Sequence, residues 1–376
     1  MLAKTPDAVS LTQALVRMNT INPPGHEEPC ARYLGALLES AGFTAKYHSY
    51  GEGRVSVIAS IGGNASKPPL CLTGHIDTVP LGAAPWRMDP FAGDTDAGNL
   101  YGRGTSDMKC GVAAFAIAAL AMAKRLSGTP GLTLVITAGE ETGCEGAFHL
   151  YRDGVLGKAG AVVVAEPTSN YPFVGHKGAL WLKARTNGVT AHGSMPDKGI
   201  NAVYKAAHAL NKLEAFRFPN PPHALMGQAT LNVGTFHGGL NINSVPDRAE
   251  IGIDIRTVPT VNHKELIRIL AAQLGAEVEL EPLMDLEAVY TEPQDPWMQS
   301  VFDVMGSILG EKPMPRVATY FTDAAALNQA YNNPPTVILG PGEPHMAHQT
   351  DEYCVVERVQ SAVAAYEEII RRWCLV

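Results

Sequence analysis

Cysteine is scarce and unpatterned here. Cys30, Cys71, Cys110, Cys144, Cys354 and Cys374 are scattered over 376 residues, and none forms a Cys-x-x-Cys pair. That excludes a small disulfide scaffold and reads as reduced thiols in a cytoplasmic protein. Positive charge is also short: the net charge of −8 argues against nucleic acid or an anionic membrane surface as partner. No apolar run reaches spanning length. The longest, Gly111 to Ala123, is flanked by Lys109 and Lys124-Arg125 and reads as a buried helix. The N-terminal stretch carries Asp7 and no apolar h-region, so no signal peptide is visible. Repeats and low-complexity segments are absent. Apolar residues at 46% and charged residues at 18% mark a globular chain, and its length exceeds one ordinary core, so two domains are expected.

Four hydrophobic runs end alike. Leu70-Cys71-Leu72-Thr73 leads into Gly74-His75-Ile76-Asp77, and Leu132 to Thr137 into Ala138-Gly139-Glu140-Glu141. Ala161 to Ala165 leads into Glu166, and Thr336 to Leu339 into a Gly/Pro loop carrying His345 and His348. Each reads as a short buried strand with His, Asp or Glu at its C-terminal end. Open α/β sheets bind ligands beyond those ends. Residues remote in sequence can therefore converge there.

Residues 8 to 18 and 28 to 41 read as helices separated by Pro23-Pro24-Gly25. Strand, loop and helix then alternate to about residue 170, the pattern of a mostly parallel sheet with helices on its faces. Asp107 falls near the N-terminus of the long apolar helix. The style changes near Lys177. Leu180 to Arg185, Ala229 to Thr235 and Ala249 to Arg256 read as half-buried strands, Asn201 to Ala215 and Asn262 to Leu274 as amphipathic helices. With Glu277 to Glu281 they make a four-stranded antiparallel sheet plus two helices. The expected organisation is an α/β catalytic domain over 1–176 and 289–376, with an α+β domain inserted at 177–288.

Two imidazoles and several carboxylates at buried strand ends suit a metal. Placing such charges there is costly unless they are paired or hold a cation. Two divalent ions roughly 3.5–4 Å apart need an imidazole and a terminal carboxylate each, plus a shared carboxylate. His75 and His348 supply the first, Glu141 and Glu166 the second, Asp107 the third. Zinc takes such nitrogen and oxygen ligands; cobalt and manganese are alternatives. Glu140 is left over as a general base. Asp77, two residues from His75, could hold the outer imidazole N–H. His345 competes with His348 for the last ligand position.

At this point the whole chain resembles the dinuclear zinc amidohydrolases that include acetylornithine deacetylase, succinyl-diaminopimelate desuccinylase, aminoacylase-1 and carboxypeptidase G. Thr20 to Gly25 resembles the family's N-terminal signature, Gly74 to Pro80 its first metal motif, and Tyr101 to Lys109 its second and most specific. Gly139 to Gly143 and Glu166-Pro167-Thr168 follow in order. The resemblance implies a zinc-exopeptidase-like catalytic domain. One zinc would sit on His75, Asp107 and Glu166, the other on Asp107, Glu141 and His348, with Glu140 as base and Asp77 orienting His75. It favours His348 over His345, because Gln349-Thr350-Asp351-Glu352 follows, and it implies a cis peptide after Asp107. One departure is Cys110-Gly111 where the family usually has two glycines; Cys110 is expected to pack as a small apolar residue.

In the insert, Gly188 to Ser194 resembles the family's dimerisation motif. It implies a homodimer in which His192 reaches across the interface and donates to the oxyanion of a tetrahedral intermediate. Gly238 to Pro246 with Arg256 resembles its substrate segment, implying that Asn243 and Arg256 hold a substrate carboxylate. Thr322 and Asp323 occupy its second substrate loop. The expected activity is hydrolysis of an N-acyl amino acid, as by a deacetylase or desuccinylase. A carboxypeptidase or dipeptidase of the carboxypeptidase G kind uses the same site chemistry, and a non-catalytic small-molecule binder is the remaining alternative.

Overall fold

The computed structural model describes residues 6–63 and 66–376. Residues 1–5, part of the expected first catalytic segment, lie outside the described residues. Two compact units are present. The first comprises residues up to Gly175, Tyr290–Arg316 and Thr322–Val376; the second comprises His176–Val289 with Val317–Phe321.

The first unit is built on a mixed sheet whose centre is parallel. Its strands run in the order Thr44–Gly51, Arg54–Ile61, Leu132–Thr137, Leu70–His75, Ala161–Val164, Thr336–Ile338 and Phe173–His176. The four central strands are parallel to one another. The two on the near edge pair antiparallel, as does Ile338 with Phe173. Every residue of the four central strands is buried, as runs of Leu, Val and Ile covered on both faces must be. Their register places the site. His75 lies opposite Thr137 and Thr73 opposite Val164. Glu140, Glu141 and Glu166 therefore emerge just past the same sheet edge as His75.

The apolar helix Cys110–Met122 is a core element, with ten of its thirteen residues buried. It packs against the C-terminal helix Val356–Cys374 and the first helix Ala8–Val16. Each Val or Phe buried this way stabilises by about 1.5–3 kcal/mol. Gly111 lets the helix approach the strand that delivers Glu166: a Cβ there would lie 2.1 Å from the Ala165 carbonyl oxygen. Cys110 sits in an apolar cluster with Ala8, Leu100, Cys354 and Val359 and packs as a small apolar residue.

The second unit holds an antiparallel sheet in the order Thr230–Gly238, Arg248–Thr257, Gly178–Asn187, Val278–Leu286. Ile251, Ile253 and Ile255 face its core, while Glu250, Asp254 and Arg256 take the opposite face. Helices Ala202–Glu214 and His263–Leu274 cover the sheet. Asn201 and Asn262 cap them by accepting first-turn backbone N–H groups.

Candidate metal centre

Asp107 divides its carboxylate between two imidazoles. Oδ1 lies 3.2 Å from His75 Nε2 and Oδ2 lies 3.5 Å from His348 Nε2. His348 Nε2 is also 3.1 Å from Glu141 Oε2, and His75 Nε2 is 3.8 Å from Glu166 Oε1. Glu140 stands slightly further back, with Oε2 at 4.0 Å from His75 Nε2. His345 turns elsewhere: its side chain is 65% exposed and faces Glu343 at 3.9 Å. His348 is held in the left-handed region at φ 63°, a conformation found at functional sites more than elsewhere. The Asp107–Met108 peptide is cis.

The donor set fits divalent ions. A tetrahedral zinc with bonds of about 2.1 Å spaces its donors roughly 3.4 Å apart, which is the spacing found between Asp107 and each imidazole. The donor atoms of His75, Asp107 and Glu141 lie within 4.8 Å of one another, as do those of His75, Glu140 and Glu166. Glu141 Oε1 is buried without a hydrogen-bond partner among the described residues. His75 Nδ1 faces the backbone oxygen of Asp77 at 3.0 Å, so Nδ1 holds the proton of the neutral ring and Nε2 is the nitrogen that could bind a cation in place of its own proton.

Burial and mutual repulsion dominate the electrostatics. Burial, reinforced by Glu166 and Glu141 and opposed by His75, holds the Glu140 pKa well above the usual carboxylate range. Burial does the same to Glu166, and burial with the Asp107 charge raises Glu141. For His75, burial opposes charge, but Asp107, Asp77, Glu166 and Glu140 outweigh it and the pKa stands well above normal. Four carboxylates crowded round two imidazoles are a site short of positive charge, which divalent cations supply.

Asp77 faces His75 and also the loop that follows the neighbouring strand. Its carboxylate Oδ1 is 3.5 Å from His75 Nδ1, further than its own backbone oxygen. Its closer contacts are with Asn22 Nδ2 at 2.9 Å and the backbone N–H groups of Glu140 and Glu141 at 3.1 and 3.2 Å. The carboxylate thus shapes the loop carrying the base and a ligand. Sequence reasoning passed over two further buried ions. Lys109 donates to the Leu15 and Met18 carbonyls, fixing the first helix beneath the metal loop. Glu352 pairs with Arg103 at 2.6 Å, both at most 1% exposed. For Lys109 and Arg103 the signal was charge inside a glycine-containing motif.

In the second unit, His192 is exposed. The backbone N–H of Ser194 donates to His192 Nδ1 at 3.2 Å, so the neutral ring carries its proton on Nε2. Asn243 lies beside it, its carbonyl accepting from Gly193 N at 2.7 Å. Arg256 is at the other end of the strand that begins at Arg248, roughly 26 Å away at about 3.3 Å per residue. One chain therefore groups Asn243 with His192, not with Arg256. Asp254 accepts from Arg256 Nε at 3.2 Å.

Thr322 and Asp323 are both turned inward. Thr322 Oγ1 accepts the N–H of Ala324 at the start of helix Ala324–Ala330, and Thr137 donates its hydroxyl to Asp323. Burial first, then neighbouring carboxylate charge, raises the Asp323 pKa to about 6.

The model of peptidase family M20/M25/M40 matches residues 71–372. The chain belongs to this family. It is accordingly a metal-dependent hydrolase acting on amide bonds. Among M20 relatives it is 28% identical over 400 residues to a probable succinyl-diaminopimelate desuccinylase of Staphylococcus epidermidis, covering 98% of each chain. It is 29% identical to acetylornithine deacetylase of Proteus mirabilis, covering 99% of this chain and 98% of the relative. An M20 metallo-carboxypeptidase from Sulfolobus solfataricus shares the fold with a TM-score of 0.80 at 18% identity, over 99% and 100% of the two chains.

Proposed function

We propose that the protein hydrolyses the amide bond of an N-acyl amino acid, as a deacetylase or desuccinylase does. The observation that carries this is the division of Asp107 between His75 and His348, with Glu140 left beside the site. His75, Asp107 and Glu166 would hold one ion and Asp107, Glu141 and His348 the other, zinc being favoured by the mix of imidazole and carboxylate. Bound there, such a pair would supply Lewis acidity to the acyl carbonyl and lower the pKa of the attacking water. Glu140 takes that water's proton and hands it to the leaving nitrogen, a shuttle to which its raised basicity is suited.

His192 of the partner subunit donates from Nε2 to the developing oxyanion, with Asn243 arriving on the same loop. A donor of this kind is typically worth about 2.7–4 kcal/mol. Arg256 uses the N–H groups that Asp254 does not occupy to hold the substrate carboxylate. The homodimer is supported by the insert's surface. Thr230–Gly238 is an edge strand, and Phe236, Leu240, Ile242 and Tyr204 expose large apolar side chains around it. Six buried, unpaired cysteines support a cytoplasmic location.

The test is release of free amine by apo protein reloaded with zinc or cobalt, from N-acetyl, N-succinyl and N-formyl amino acids beside dipeptides. Metal-dependent turnover of one acyl amino acid is expected. Turnover of dipeptides alone would overturn the deacylase reading in favour of a peptidase.

A further inference from the structure

Within the metal loop Gly102–Asp107, Thr105 N–H bonds back to the Gly102 carbonyl and Arg103 N–H to the Pro90 carbonyl. Three other backbone N–H groups of the loop converge on one side chain. Glu352 Oε1 accepts from Ser106 N at 2.8 Å and Asp107 N at 3.0 Å. Glu352 Oε2 accepts from Gly104 N at 2.9 Å and Arg103 Nη1 at 2.6 Å. The Glu352 carbonyl takes Gly102 N at 2.9 Å. Glu352 is fully buried, so among the described residues these donors stand in for its solvation. We infer that Glu352 is the positioning residue of the bridging carboxylate: it holds the backbone of Asp107 so that both oxygens reach their ions. This rests on the reading of Asp107 as the bridge.

Two further observations bear it out. Ser106 is tied to the same C-terminal segment, its hydroxyl donating to the Tyr353 carbonyl at 2.6 Å and accepting Glu343 N at 2.8 Å. His348 lies four residues before Glu352. A single turn of chain therefore supplies one ligand and fixes another that is 245 residues from Glu352, and displacing it moves two of the three donors to the second ion together. The donor pattern also demands an anion. Each Glu352 oxygen meets two donors, and the Arg103 guanidinium supplies the counter-charge. A glutamine has one oxygen and one NH₂, which would have to face two donors. An aspartate keeps the charge but is one methylene too short to span Arg103 and the amides together.

The experiment is calorimetric titration of metal-free parent, Glu352→Gln and Glu352→Asp with Zn²⁺ alone. Visible spectra of the Co²⁺ forms report the coordination. Leu38→Ala, a core change on helix Glu28–Glu39, controls for general loss of stability. The parent and Leu38→Ala should take two equivalents. The Glu352 variants should bind the second equivalent roughly 10–100-fold more weakly, the usual loss when a ligand's outer partner is removed, with an altered Co²⁺ spectrum. Glu352→Asp keeps the buried negative charge near Arg103, so it reports even if Glu352→Gln does not fold. Variants that match the parent in both equivalents and in spectrum overturn the assignment, whatever their melting temperature. A parent that binds two zinc ions but cleaves no acyl amino acid refutes the deacylase reading and leaves this inference standing. A parent that binds none refutes both.

Discussion

Asp77 Oδ1 accepts the backbone N–H of Glu140 at 3.1 Å, joining the strand end that carries His75 to the loop that carries the base. The same carboxylate takes the N–H of Glu141 and the amide of Asn22, so one buried anion sets a ligand and the base together. Burial opposes its charge, but the hydrogen bonds from His75, Asn22 and Glu140 outweigh that and hold its pKa below normal. Asp77→Asn would turn an NH₂ toward donors. It is expected to cost roughly 10–100-fold in turnover, read as amine release under saturating Zn²⁺. Parent-like turnover would show that the loop holds its shape without the anion.

Of the four carboxylates crowded round the imidazoles, Glu140 alone has no ligand position in the arrangement proposed. Glu140→Gln should keep two bound Zn²⁺ and the fold while turnover drops by about 10²–10⁴-fold. Zinc stoichiometry and steady-state rates on the same preparation check both halves. Loss of an ion would instead make Glu140 a ligand; unchanged rate would remove it from proton transfer.

His192 and Glu140 should complement each other between subunits. His192→Ala alone and Glu140→Gln alone are both expected to be nearly inactive. After subunit exchange at equal amounts, half the dimers are mixed and one of their two sites has both residues intact. About a quarter of parental activity should return. Co-capture of the untagged variant through an affinity tag on the other confirms exchange, and no recovery despite exchange would place His192 in its own chain's site or outside catalysis.

The sheet and the cluster of candidate donors were legible because both leave patterns in sequence. A buried parallel strand is an unbroken apolar run, and a His, Asp or Glu at its end stands out against it. What stayed hidden uses backbone amides. The donors to Asp77 and Glu352 are peptide N–H groups, which every residue has, and Glu352 reaches them across 245 residues. Asn243 was read with Arg256 because both resemble substrate-segment positions, yet the strand between them holds them apart and groups Asn243 with His192. Thr322 and Asp323 looked like loop residues, but their side chains cap a helix and bind Thr137 inside the fold.

His176 makes acid sensitivity measurable away from the metal site. Burial pushes its pKa down to about 4, only partly opposed by the Lys177 carbonyl, which accepts from Nδ1 at 2.8 Å; Nε2 is buried without a partner among the described residues. The unfolded chain takes a proton on this ring near the usual 6.5, while the folded chain takes it only near 4. Stability from this group is therefore intact above pH 6.5 and is lost as pH falls toward 4, by about 3 kcal/mol in all. His176→Asn keeps a donor for the Lys177 carbonyl and removes the titration. Urea unfolding of metal-free parent and variant between pH 7 and 4 should show the parent losing about 3 kcal/mol more than the variant over that window. Parallel curves would mean that the folded protein accommodates the imidazolium, and the acid limb would then belong to other groups.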